Sequence, residues 1–146
     1  MRDCYIVDID GTVADASHRI HHIKKKPKDW NSFFAECIND APIPHMHKLV
    51  SLLQVTGVIW VSGRPERTKI DTLEWLYKHS FIHGPDPLYM RADGDYRDDD
   101  IIKYELLQKL KEDGWNPLMA FDDRDRIVKM WRANGIPCLQ VAEGNF

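Results

Sequence analysis

Cys4-Tyr5-Ile6-Val7-Asp8-Ile9-Asp10-Gly11-Thr12 begins as an almost unbroken run of β-branched and aromatic residues and ends in two acids and a glycine. A strand with one face in water alternates polar and apolar residues. One that lacks the alternation is covered on both faces, as strands of a parallel sheet are. Four more short apolar runs follow: Val58-Ile59-Trp60-Val61, Leu88-Tyr89-Met90, Leu118-Met119-Ala120-Phe121 and Cys138-Leu139-Gln140-Val141. Between them the apolar residues take helical spacing. Ile70, Leu73 and Leu76-Tyr77 form one stripe, Ile102, Leu106 and Leu110 a second, and Ile127-Val128 with Trp131 a third. Pro65 suits a first helical turn, and Gly114 and Gly135 read as helix stops. Strands alternating with helices predict an α/β fold, a doubly wound and mainly parallel sheet covered on both sides.

Residues 14–56 break that rhythm. They show helical stretches around Trp30–Ile38 and His45–Leu53, no strand, most of the histidines and the run Lys24-Lys25-Lys26-Pro27-Lys28. The reading is a single domain over residues 1–146 with a small helical cap inserted at about 14–44, followed by the first crossover helix. Insertions after the first strands sit where an open α/β sheet binds its ligands. The 146 residues are 43% apolar and 29% charged, with a net charge of −3. A broadly polyanion-binding surface is therefore not expected, and nucleic acid would need a local basic patch. The lysine run reads first as a solvated loop. No apolar run approaches the roughly 18 residues of a membrane span, and the first strand starts too early to leave room for a signal peptide. Cys4, Cys37 and Cys138 are scattered and odd in number, which points away from a disulfide framework or zinc site and towards the cytoplasm.

The chemistry-bearing residues follow the strands. Asp8 and Asp10, at i and i+2 on an extended chain, project to the same side. Neither is easily buried alone, and a shared Mg²⁺ resolves the conflict, since it takes a few carboxylates together with water and phosphate. Gly11 lets the backbone turn, so that amides at and beyond it, towards Thr12, can face an anion. Ser62-Gly63-Arg64 follows the second apolar run. Its hydroxyl and free amides suit a phosphate, and Arg64 offers a fork for phosphate oxygens. Lys103 begins a helix behind Asp98-Asp99-Asp100, where a surface charge cluster is the plain reading. Asp122-Asp123 close the fourth run, and adjacent acids there repel unless a cation lies between them and the first pair.

In that order, Asp8/Asp10, Ser62, Lys103 and Asp122/Asp123 resemble the four motifs of haloacid dehalogenase-type (HAD) phosphatases. The stretches Ser62-Gly63-Arg64, Asp122-Asp123-Arg124, Met130-Trp131-Arg132 and Gln140-Val141-Ala142 resemble the phosphatase domain of polynucleotide kinase/3′-phosphatases. The resemblance implies a five-stranded sheet ordered 5-4-1-2-3 by the apolar runs above. It also implies a mechanism in which Asp8 attacks phosphorus and Asp10 acts first as acid, then as base. Ser62 and Lys103 hold phosphoryl oxygens, and Mg²⁺ is held by Asp8, Asp10 through its backbone, and Asp122 or Asp123. With no G-x-x-x-x-G-K-[ST] in the chain, end phosphorylation is not implied.

The expected substrate is a 3′-phosphate on a nucleic-acid end or nucleotide. A nucleoside 5′-monophosphate or other small phosphate ester is the alternative, and a non-catalytic phosphate-binding module the reading from outside enzymology. His18 and Arg19 follow the acid loop closely enough to be expected at the leaving group. His18, His21 and His22 share helical spacing but lack a convincing further metal ligand. Trp30, Phe33 and Phe34 in the insertion read as packing first, and as a stacking surface for a base second.

Overall fold

The computed structural model describes residues 1–146. In chain order the elements are β1 (Arg2–Val7), β2 (Ala14–Asp15), α1 (His21–Lys24), α2 (Trp30–Ala35), β3 (Ala41–Pro42), α3 (Pro44–Leu53), β4 (Val58–Pro65), α4 (Lys69–Lys78), β5 (Leu88–Arg91), α5 (Asp99–Glu112), β6 (Trp115–Asp122), α6 (Asp125–Ala133) and β7 (Cys138–Gln140). Five strands form one parallel sheet in the order β5-β4-β1-β6-β7. This is the order that the resemblance implied.

The unbroken hydrophobicity of β1 has the expected cause. Cys4 and Ile6 face one way and pack with Ile59, Val61, Leu107, Leu110, Ile127, Val128 and Trp131 under α5 and α6. Val7 faces the other way, with Val58, Trp60, Met46, Val50, Trp75, Leu76 and Phe81 under α3 and α4. Each fully buried side chain of Leu, Ile or Phe size contributes about 1.5–3 kcal/mol relative to exposure, so both faces supply driving force. Gly114 and Gly135 follow the ends of α5 and α6 with φ of 94° and 77°, the left-handed conformation that stops a helix.

Three expectations need correction. Residues 14–56 do contain strand: Ala14 pairs with Pro42 and Asp15 with Ala41, antiparallel, closing the neck of the insertion. On α4 the buried face is Thr72, Trp75 and Leu76, while Ile70 and Tyr77 are exposed. Polar demands turn this helix: Trp75 Nε1 donates to the Asp40 carbonyl at 2.8 Å, and Thr72 Oγ1 accepts from Arg64 at 3.0 Å. Pro65 ends β4 rather than starting a helix, and a 3-10 turn over Glu66–Thr68 precedes α4.

Candidate active site

Register brings the acids together. Val7 pairs with Phe121 in β6 and with Trp60 in β4, so the residues just beyond these three strand positions lie side by side at the carboxyl edge. They are Asp8, Asp122-Asp123 and Ser62. Carboxylate oxygens of Asp8, Asp122 and Asp123 lie within 4.8 Å of one another, and all three residues are buried. Lys103, whose acidic sequence neighbours read alone as a surface cluster, is buried: its Nζ donates to Asp8 Oδ1 at 2.7 Å and to Asp122 Oδ2 at 3.0 Å. The N-terminal part of α5 carries it to these acids.

The electrostatics follow from three carboxylates sharing one ammonium. Burial, then repulsion from Asp122, push Asp8 well above the usual carboxylate range, against the pull of Lys103. Burial and Asp122 push Asp123 up to about 6. Burial opposes the Lys103 charge, but Asp122 and Asp8 outweigh it and hold the ammonium above its ordinary range.

Asp122 and Asp123 differ in their partners. Asp122 Oδ1 accepts from the Asp123 and Arg124 amides at 2.9 and 3.4 Å, and its Oδ2 accepts from Lys103 and from Trp131 Nε1 at 3.2 Å. Asp123 is tied far more loosely, with Thr12 Oγ1 at 3.4 Å from its Oδ1. Thr12 donates to Asp8 Oδ2 at 2.9 Å and is buried. Gly11, at φ 79°, lies under Asp123: a Cβ there would collide with Asp123 Oδ2. Three buried acids with one cation and free lone pairs on Asp123 suit a divalent ion such as Mg²⁺.

Asp10 points elsewhere. Its carboxylate accepts from Arg64 Nη2 at 2.6 Å, from Arg64 Nε at 3.2 Å and from Arg19 Nη2 at 2.7 Å. Burial alone would raise its pKa, but Arg64 and Arg19 outweigh that and hold it at about 2. The two arginines also share Asp40, which accepts from Arg19 Nε at 2.8 Å and Nη2 at 2.8 Å and from Arg64 Nη2 at 3.1 Å. Two expectations are corrected here. Arg64 and Arg19, expected at the phosphate and the leaving group, are fully buried and turned to Asp10 and Asp40 in this structure. The Asp10 side chain lies with these arginines and outside the acid trio. His18 stays at the rim, its side chain 39% exposed, with Nε2 2.7 Å from Asp40 Oδ1.

Ser62 is buried, and its Oγ accepts from the Arg64 amide at 3.1 Å. The strand continues through Pro65, so a helix start does not follow Ser62 directly as expected. Gly63 is needed for close approach, since a Cβ would collide with Asp99 Oδ1.

The sequence did not single out Asp40, Trp131 as a donor to Asp122, or the rim set of Arg91, Asp99 and Arg124. In that set Arg91 Nη2 reaches Asp99 Oδ1 at 2.5 Å, Arg124 Nη1 reaches Asp99 Oδ2 at 3.3 Å, and Arg91 Nε donates to the Gly63 carbonyl at 2.8 Å. Asn39-Asp40 before Ala41-Pro42 reads locally as a turn, and nothing nearby signals burial.

A family model described as the phosphatase domain of polynucleotide kinase PNKP matches residues 2–146. A putative bifunctional polynucleotide kinase/RNA ligase of Autographa californica nuclear polyhedrosis virus is 26% identical over 132 residues, 90% of this chain and 18% of that protein. A chain in the solved Pnkp1/Rnl/Hen1 complex is 28% identical and superposes with a TM-score of 0.83, covering all of this chain and 48% of that one. This chain therefore spans less than half of either relative. The class C acid phosphatase from Bacillus anthracis, solved with tungstate bound, shares the fold at 14% identity and a TM-score of 0.68, over 97% of this chain and 67% of that one.

Proposed function

The chain belongs to the family of polynucleotide kinase PNKP phosphatase domains, of HAD type, and on that basis we propose that it removes 3′-phosphates from nucleic-acid ends or nucleotides. The observation behind this reading is the convergence of Asp8, Lys103, Asp122 and Asp123 in one buried cluster, with Asp10 clamped beside it by two arginines. A binding module needs no such pairing of a nucleophile with a separately held acid or base.

In this reading Asp8 attacks phosphorus and becomes an aspartyl phosphate, which water then hydrolyses. Lys103 fixes the Asp8 carboxylate through Oδ1 and Thr12 fixes it through Oδ2, so the nucleophile is held without rotamer search. Asp8, the Asp10 backbone and Asp123 would hold Mg²⁺, with Asp122 turned inward to orient Lys103. Bound there, the ion would offset repulsion between Asp8 and the phosphate. Ser62 and Lys103 stabilise the phosphoryl oxygens.

Asp10 is ionised throughout the working range. It is therefore set as the base that takes a proton from water. Its acid role requires a proton brought in by the substrate, whose second phosphate pKa lies near 6. The reducing cytoplasm suits its three free, buried thiols. The test is phosphate release from 3′- and 5′-phosphorylated oligonucleotides and mononucleotides, with Mg²⁺ and with EDTA. Release from the 3′ substrates that is lost in Asp8→Asn supports the reading. Release from 5′-monophosphates alone, or full turnover in Asp8→Asn, overturns it.

A further inference from the structure

The insertion exposes an aromatic surface that neither the core nor the acid cluster uses. Trp30 is 42% exposed and lies nearly parallel to Phe34, with centroids 5.8 Å apart and an interplanar angle of 21°. Lys28 Nζ stands 5.6 Å from the Trp30 ring centroid, and the Arg67 guanidinium stands 5.6 Å from that of Phe34. Arg67 also donates to Asn31 Oδ1 at 3.4 Å, joining the insertion to the turn just after Ser62-Gly63-Arg64. Lys24, Lys25, Lys26 and Lys28 are all exposed in the segment leading into α2. Lys25 has Asp29 at 3.8 Å and Arg67 has Asp93 at 3.8 Å, while the other three lysines form no ion pair.

Beneath this surface Phe33 is buried and meets both rings edge-on. The Arg19 guanidinium lies 4.4 Å from the Phe33 ring, and the same arginine holds Asp10 at 2.7 Å. The exposed Trp30 ring and the half-buried Phe34 ring therefore stand one aromatic layer and one guanidinium away from the reacting centre.

We propose that this face of the insertion is a stacking platform for single-stranded nucleic acid, on which a base upstream of the 3′-terminal phosphate rests against Trp30. The lysine run and Arg67 hold the adjoining backbone phosphates. Surface and strand are complementary. In a chain of net charge −3, Lys28 stands at an exposed indole, Arg67 stands at the ring stacked on it, and three more exposed lysines lie just before Lys28 in the sequence. A strand of flat bases joined by phosphates presents the matching chemistry. A mononucleotide has no upstream base and cannot use the platform. The inference rests on the 3′-end reading above and extends it from the scissile phosphate to the strand behind it.

Two measurements test it. The first is anisotropy of labelled single-stranded DNA and RNA oligonucleotides in EDTA, which needs no turnover. The second is steady-state kinetics on a 3′-phosphorylated oligonucleotide and on a nucleoside 3′-monophosphate. Trp30→Ala should weaken oligonucleotide binding and raise its KM about tenfold, with kcat little changed and the mononucleotide KM shifted less than about twofold. Trp30→Phe should recover most of the loss. Replacing Lys24, Lys25, Lys26 and Lys28 with serine should flatten the salt dependence of binding, by about 0.7 in log–log slope for each backbone phosphate no longer neutralised.

Unchanged oligonucleotide binding in Trp30→Ala overturns the platform, and so does an equal KM rise on both substrates. If the wild type cleaves no 3′-phosphate yet Trp30→Ala still loses binding, the reaction assignment fails and the platform stands. If the wild type cleaves and Trp30→Ala is indifferent, the platform alone fails.

Discussion

Replacing Lys103 with methionine tests the charge balance of the site directly. The side chain keeps most of its length and apolar stem but loses the ammonium that sits 2.7 Å from Asp8 and 3.0 Å from Asp122. Three carboxylates within 4.8 Å of one another would then have no buried counter-charge. Removing one partner of a buried ion pair costs about 3–5 kcal/mol, which for a chain of this size lowers Tm on the order of 10 °C. The loss should be largest in EDTA at pH 7.5 and smaller on each of two rescues. Acid is the first. Asp123 has a folded pKa of about 6, above its ordinary 3.8. Its contribution to stability is therefore present at low pH and is lost as pH rises through about 6. At pH 5 the trio holds a proton and the variant should approach the wild type. Mg²⁺ is the second, because a divalent ion restores the missing charge. By the same sign, Mg²⁺ should raise the wild-type Tm more at pH 7.5 than at pH 5. Thermal unfolding of both proteins, at both pH values, with EDTA and with Mg²⁺, gives the full comparison. A Lys103→Met protein as stable as wild type in EDTA at pH 7.5 would refute the reasoning.

Asp122 and Asp123 should separate: Asp123→Asn should weaken Mn²⁺ binding, read by electron paramagnetic resonance, at least about tenfold. Asp122→Asn should chiefly lower Tm, because its oxygens serve Lys103, Trp131 and two amides. Arg64→Lys keeps the charge but loses the paired donors to Asp10. It should cut kcat about 100-fold through misplacement, leave Mn²⁺ affinity unchanged, and raise the Asp10 pKa towards the ordinary carboxylate range as Asp10 loses its clamp, followed by a carboxylate NMR titration. Gly144→Ala would drive a Cβ into the Asp123 carbonyl. Urea titration should show about 1–3 kcal/mol of destabilisation, with metal affinity falling as the Asp123 loop is displaced.

The sheet was readable because its strands are buried on both faces and so leave uninterrupted apolar runs in the chain. The acids at their ends were readable because parallel strands align those ends in space. What was not readable depends on pairings between distant residues. Arg64 lies 54 residues from Asp10 and 24 from Asp40, and nothing in Ser62-Gly63-Arg64 signals that the guanidinium turns inward rather than towards a phosphate. Read without the other motifs, Lys103 looks like a surface residue for the same reason. Its acidic neighbours in sequence, Asp98-Asp99-Asp100, point to a solvated cluster, whereas the acids it touches are 95 and 19 residues away. On α4 the hydrophobic stripe misled because a hydrogen bond from Trp75 and a hydroxyl for Arg64 set the buried face.

Two adjacent charge clusters in this site differ in their charge balance, and the difference assigns their tasks. Asp10 and Asp40 face Arg19 and Arg64, so acids and cations balance two against two. That set has no charge left to attract a metal, and its surplus of donors fixes Asp10 in one rotamer and one ionisation state. Asp8, Asp122 and Asp123 face Lys103 alone and remain short by two positive charges. A divalent cation supplies two. Since β1 delivers Asp8 to one cluster and Asp10 to the other, the i, i+2 spacing places a nucleophile in the cation-deficient set and a proton-handling carboxylate in the balanced one.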